Sequence, residues 1–238
     1  MLGESVERHL WSEVDFFSKN KIAKSYAEIK KEALDIFSLA GFSEEQKRKH
    51  SELHFTENTS FSWIAASSLT GKKKILCPIQ LVSSLYTYKY VKTPFRKNNT
   101  EPLLRWSITT GLATGKTIED ALVSGILEVI ERDAFMITYL NKLSPPVIDL
   151  EHLAIQDGDI RNVLEKFKRY NLNVHFIMLP TDFPVYVVLA LITDPSGRGP
   201  AANVGASADF DLKRCFLDAL SESLIIRMST KEKWKKPL

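Results

Sequence analysis

A glutamate in the middle of an apolar helical run is costly unless something offsets its charge. This sequence sets that demand repeatedly. The pattern Glu-x-x-Glu-Arg occurs as Glu4-Ser-Val-Glu7-Arg8 and again as Glu128-Val-Ile-Glu131-Arg132, the second inside the largely apolar run Ala121 to Leu140. Helical steps of three and four residues return to one face. Ser124, Glu128, Glu131 and Arg132 are therefore expected in a single polar stripe, flanked by Ile126, Leu127, Val129, Ile130 and Phe135. A third segment, Asp218-Ala-Leu-Ser-Glu222 followed by Arg227, repeats the design.

The common fate of such residues is an intrahelical Glu–Arg pair on an exposed face. That suits the first copy, whose neighbours Ser5 and His9 are polar. It suits the second badly, because few other faces of that helix are polar. Three such helices converging would supply carboxylates for Mg²⁺, which prefers oxygen ligands and often bridges to nucleotide phosphates. The arginines would then meet the phosphate charge.

Composition narrows the remaining options. The 238 residues fit one domain, and a 44% hydrophobic content with 13 Phe and 4 Trp is ample for a core. A net charge of +3, with acids and bases interspersed, gives no field that steers the chain to nucleic acid. The Lys-rich end (Lys231, Lys233, Lys235, Lys236) reads as solvated. No run is long and apolar enough to span a membrane. Cys77 and Cys215 stand in unrelated contexts and read as buried, reduced thiols, which points to the cytoplasm.

Along the chain, residues 1–17 read as a helix with Leu2, Val6, Leu10 and Val14 at four-residue steps. Ile22 to Ala40 carries a weaker helical period, closed by Gly41 as a C-cap. Residues 43–60 and Thr93 to Pro102 read as polar loops. Phe61–Leu69 and Lys74–Ile79 are predicted as strands joined by a turn at Thr70-Gly71-Lys72. The long helix should begin at an N-cap on Thr117, with Asp120 completing a capping box, and stop before Ser144-Pro145-Pro146. A helix at Ile160–Tyr170, strands at Val174–Leu179 and Val185–Thr193, a turn at Pro195–Pro200, a short strand or loop at Ala201–Ser207 and a helix from Leu212 to about Ser229 follow. This alternation lacks regular βαβ spacing, so an α+β fold with a mixed, largely antiparallel sheet packed with helices is expected.

Two other motifs carry less. Gly111-x-x-x-Gly115-Lys116-Thr117 has three residues between its glycines where a phosphate-binding P-loop needs four. His50 and His54 are four apart but lack a partnering acid, and read as surface residues.

The run from Thr110 through Ala134, centred on Ser124-x-x-x-Glu128-x-x-Glu131-Arg132, resembles the centre of a YcaO-domain protein. The resemblance extends to Leu2–His9, Trp63–Pro78 and Gly205–Arg227. It implies a single YcaO-like domain over 1–238, shortened at both ends, that binds ATP and Mg²⁺. The implied activity is ATP-dependent activation of a peptide backbone amide, giving an azoline or a thioamide. Implied metal ligands are Glu4, Glu128, Glu131 and Glu222. Implied nucleotide contacts are Glu7, Arg8, Ser124, Arg132 and Arg227, the arginines meeting phosphate or orienting the carboxylates. Implied partners are a peptide or protein substrate, a leader-peptide-binding protein and a second copy of the chain. Where the family pattern has a Gln between the third acid and its Arg, this chain has Ile225, and the Ser of the first motif would precede Met1. Those departures keep open an alternative, a catalytically silent scaffold that binds a partner protein or peptide.

Overall fold

The computed structural model describes residue 9 and residues 19–71, 73–83, 101–106, 108–150, 157–197 and 199–234. The chain divides into two compact units, Met1–Thr114 and Gly115–Leu238. The helix expected over 1–17, with Glu4, Glu7 and Arg8, lies outside the described residues apart from His9, as do Lys235 and Lys236.

The first unit centres on a three-stranded antiparallel sheet of β1 (Ile22–Ser25), β2 (Ser60–Ser67) and β3 (Lys74–Pro78), in that order. The β2–β3 hairpin matches the expected strands and turn, with Ile64 opposite Cys77 and Ser67 opposite Lys74. The helical reading of Ile22–Ala40 needs correction. Ile22 to Ser25 pair with Trp63 to Ser60 as a strand, and only α1 (Tyr26–Ile29) and α2 (Ile36–Leu39) are helical. Gly41 caps nothing; its N–H donates to the Leu104 carbonyl, and a Cβ there would sit 2.9 Å from that of Arg105. The 43–60 segment is structured as well. Ser43 and Gln46 form a reciprocal capping box that starts α3 (Glu44–Lys49), and a 3₁₀ turn follows at Ser51–Leu53.

Aromatic packing holds this unit. Trp63 and Phe61 are fully buried and meet edge to face, with Ile29, Ile36 and Leu104 around them. Beside them, after α4 (Ile79–Val82), runs a buried polar network. Gln80 donates to Glu101 at 2.9 Å and accepts from the Leu104 N–H at 2.7 Å, while the Ser62 N–H donates to Glu101 at 3.2 Å. Burial pushes the Glu101 carboxyl up from its usual range. The described end of the expected 93–102 polar loop is thus interior.

The second unit begins with α5 (Ile118–Leu140). Thr117 is its N-cap, its hydroxyl accepting from the Asp120 N–H at 3.1 Å, and Glu119 and Asp120 complement the helix dipole. Then come α6 (Gly158–Arg169), β4 (Asn173–Met178), β5 (Tyr186–Thr193), β6 (Ala202–Asp209) and α7 (Leu212–Trp234). The strands form an antiparallel sheet in the order β4–β5–β6. Strand alternation gives it two apolar faces. Val174, Phe176, Val188, Ala190 and Ile192 face α6 and α7, meeting Ile160, Cys215, Phe216, Ala219 and Leu220. Ile177, Leu179, Val187, Leu189 and Ala208 face α5, meeting Leu127, Ile130, Ala134 and Phe135. Both cysteines are free and buried, and burial pushes each thiol up to about 11. Among the described residues, no helix is long and apolar enough to cross a membrane.

Candidate functional site

With α5 on one face of the β4–β5–β6 sheet and α7 on the other, residues of both reach one side of β6. Its outward backbone groups belong to even-numbered residues, because Ala206 directs its N–H away from β5 to Glu222 Oε2 at 2.7 Å. Ser223, the next residue of α7, donates to the Asn203 carbonyl at 3.0 Å. This crossing is close because position 205 is a glycine: a Cβ there would lie 2.3 Å from the Ser223 nitrogen and 2.5 Å from the Ala219 oxygen.

An open cavity of about 110 Å³ lies at this junction, lined by Glu131, Arg132 and Phe135 of α5, Val204, Gly205 and Ala206 of β6, and Glu222 and Ile226 of α7. Arg132 lies 3.7 Å from Glu128 and 3.6 Å from Glu131, so the ordinary intrahelical pair does form. It forms in an unusual place, since the Glu131 side chain is only 13% exposed. Burial first, then the charges of Glu222 and Glu128, push the Glu131 carboxyl up to about 7, against the pull of Arg132. Ser124 is exposed, one turn before Glu128. Within the polar stripe of α5 the two glutamates turn inward, whereas Ser124 and Arg132 stay exposed. Leu122, Ile126, Val129 and Met136, on the other side of the helix, are 39–48% exposed.

Arg227 has a different setting from Arg132. It is buried, with one nitrogen donating to the Pro200 carbonyl at 2.8 Å and another paired with Asp194. Asp194 is held down to about 2, first by hydrogen bonds from Ser196 and then by Arg227. The pair fastens the turn after β5 to α7. Arg227→Met would strand the Asp194 carboxylate, and a melting temperature lowered by more than ~5 °C is expected in thermal unfolding at neutral pH. Because the Asp194 carboxyl is depressed, the stability it contributes is present above about pH 3.8 and lost as pH falls through about 2.

Of the residues singled out by sequence, the structure gathers Glu128, Glu131, Arg132 and Glu222 at one junction and ties Arg227 to Asp194. Sequence reasoning missed Asp194, which reads as a turn residue before Pro195-Ser-Gly. It also passed over Gly205, although an isolated glycine in a strand signals a close approach. Among the described residues, no three ligating side chains gather tightly enough to enclose an ion on their own. The donor set nevertheless suits Mg²⁺, which keeps several waters and binds through one or two carboxylates plus phosphate. Glu131 beside Glu222 and Glu128 is a crowding of carboxylates that a divalent cation relieves. His50 and His54 are exposed, as expected.

A family model described as YcaO cyclodehydratase, ATP- and Mg²⁺-binding, matches residues 1–237. An uncharacterized protein of Methanothermobacter thermautotrophicus is 29% identical over 166 residues, 69% of this chain and 40% of that protein. A solved heterocyclase in complex with substrate and cofactor has a TM-score of 0.78 at 20% identity, over 97% of this chain and 31% of its own. YcaO from Methanopyrus kandleri bound with AMPPCP and Mg²⁺ has a TM-score of 0.69 at 18% identity, over 99% of this chain and 52% of its own. The E. coli microcin synthetase McbBCD complex has a TM-score of 0.65 at 15% identity, over 96% of this chain and 55% of its own. This chain therefore spans 31–55% of the length of these relatives, and its likeness to the solved structures is one of fold.

Proposed function

This chain belongs to the YcaO family of ATP- and Mg²⁺-binding cyclodehydratases, and on that premise we propose that it uses Mg-ATP to activate a peptide backbone amide for azoline or thioamide formation. The observation that carries this reading is the meeting of Glu131 and Glu222, from helices on opposite faces of one sheet, beside Glu128 and Arg132. Family membership through both units supports treating 1–238 as one YcaO-like domain.

When bound, ATP supplies the phosphoryl group that turns the oxygen of the amide adduct into a leaving group; the adduct forms by attack of a Cys, Ser or Thr side chain or an external sulfur source. The residues of this chain bind and orient. Glu128, Glu131 and Glu222, together with Glu4, are assigned to the metal and its waters. Ser124 and Arg132 are assigned to the nucleotide, as are Glu7 and Arg8. Arg132 is assigned to meet the negative charge that develops during phosphoryl transfer. Arg227 is assigned to positioning, since Asp194 and Pro200 already engage its guanidinium. We place the protein in the cytoplasm, where Cys77 and Cys215 would stay reduced. A leader-peptide-binding protein and a second copy of the chain are its proposed partners.

The engagement of Arg227 also favours a second reading, a silent scaffold that binds a peptide or protein without nucleotide. Calorimetric titration with Mg-ATP separates the two. Saturable binding is expected for the wild type, weakened ~10–100-fold in Glu128→Gln. Absence of binding to the wild type would leave only the scaffold.

A further inference from the structure

The side of α5 that turns away from the β4–β5–β6 sheet is a surface of another kind. Leu122, Ile126, Val129, Met136 and Leu140 follow one another at steps of four, three, seven and four residues, and Asp133 divides the longest step into four and three. Alternating steps of three and four trace the narrow seam by which one helix interlocks with another. Leu127, Ile130 and Ala134, on the inward side, already pack on the sheet. The five apolar seam residues are 39–66% exposed, and Asp133 is exposed among them. At ~1.5 Å per residue the seam runs ~27 Å along the helix. A continuous apolar strip on this scale marks a contact with another protein surface.

We propose that the seam of one copy of the chain packs antiparallel against the same seam of a second copy. A two-fold contact requires a patch that complements itself, and the charges on α5 decide how this one can. In a parallel pair the two Asp133 carboxylates would face each other and repel. In an antiparallel pair centred on position 131, Asp133 lies opposite Val129 of the second copy and Ile126 lies opposite Met136. The same register sets Leu122 against Leu140. The helix ends agree with it. Glu119 comes level with Leu143 of the second copy, beside Lys142. Glu119 and Lys142 are both exposed, so opposite charges meet at either end. Arg132, next to the seam, is drawn instead to Glu128 and Glu131. Such a seam covers less than the ~800 Å² per partner of a standard interface, so a reversible dimer is expected rather than an obligate one. The inference rests on the reading that a second copy is a partner. It does not rest on nucleotide binding, since the cavity lined by Glu131 and Glu222 lies on the other side of α5.

Sedimentation equilibrium of the full chain without nucleotide should show a monomer–dimer equilibrium with a Kd on the order of 10 µM. Ile126→Glu should weaken it ~10-fold or more by setting a charge against Met136. Circular dichroism melting checks that this variant keeps its fold. Asp133→Asn should tighten the dimer ~3-fold or more by removing a charge from the seam, a gain that a misfolded variant would not show. A mixture of Ile126→Cys and Met136→Cys chains should form a disulfide-linked pair on mild oxidation. Ile126→Cys alone should not, because its two copies are ~15 Å apart along the helix axis. The native Cys77 and Cys215 are buried and stay out of that reaction. A monomer at every concentration would overturn both this proposal and the partner reading. A dimer unaffected by Ile126→Glu, or one in which Ile126→Cys links to itself and not to Met136→Cys, would overturn the proposal and leave that reading standing.

Discussion

Glu131→Gln is expected to stabilise the metal-free protein at neutral pH while removing Mg²⁺-dependent nucleotide binding. In the folded chain this carboxyl lies at about 7 rather than its ordinary 4.5, chiefly because it is buried and secondarily because Glu222 and Glu128 repel its charge. A group whose folded value is raised contributes stability that is fully present below its unfolded value. That contribution is lost as pH rises through the folded value. The wild type should therefore weaken between about pH 4.5 and 7, and the Gln variant should not. Above that window the variant gains on the order of 3 kcal/mol over the wild type, from the size of such a shift. Urea unfolding in chelator at pH 5 and pH 8 measures it, and an identical difference at both values would sink the idea. Calorimetry with Mg-ATP supplies the other half, because the same carboxylate is assigned to the metal. A variant that is more stable yet still binds Mg-ATP normally would remove Glu131 from the site.

Gly205→Ala should strongly destabilise the second unit. The added Cβ would lie 2.3 Å from the Ser223 nitrogen and 2.5 Å from the Ala219 oxygen, and both are backbone atoms of α7. A helix backbone cannot step aside as a flexible side chain can, so α7 must lift from β6. A loss of about 3 kcal/mol is expected, at the upper end for an overpacked contact. Lifting α7 also separates Glu222 from the Ala206 N–H. Chemical denaturation reads the first effect, and a stability within ~0.5 kcal/mol of wild type would contradict it.

How far the sequence reveals this architecture varies along the chain, for identifiable reasons. Thr117 marks the start of α5 through local chemistry alone, although only half of the expected capping box forms, the Asp120 N–H donating to the Thr117 hydroxyl. The turn at Thr70-Gly71 marks the β2–β3 hairpin. Where long-range pairing competes with local pattern, the local pattern misleads. Ile22–Ser25 lies in a weak helical period, yet its pairing with β2 prevails, as tertiary context overrides propensity. The Ser43-x-x-Gln46 box was readable but masked by the polarity around it. At the site, the spacing of Glu128, Glu131 and Arg132 put them on one stripe, and burial then set Glu131 apart from Glu128. The partner of Arg227 was illegible, because Asp194 is 33 residues away and joins it only through the β5–β6 turn. The orientation of α5 was likewise hidden: its outward side is apolar, so composition alone could not say which face meets the sheet.

The hydrogen bond from the Ala206 N–H to Glu222 has a consequence for ligand affinity. A free glutamate side chain gives up roughly 1.5–2 kcal/mol of rotamer entropy when it is ordered. Here that ordering happens as the strand and helix come together during folding, so it is not deducted again when an ion arrives. One carboxylate oxygen is already committed to the strand, leaving the other for an ion or its water. The direction from which Glu222 can coordinate is thereby written into the sheet.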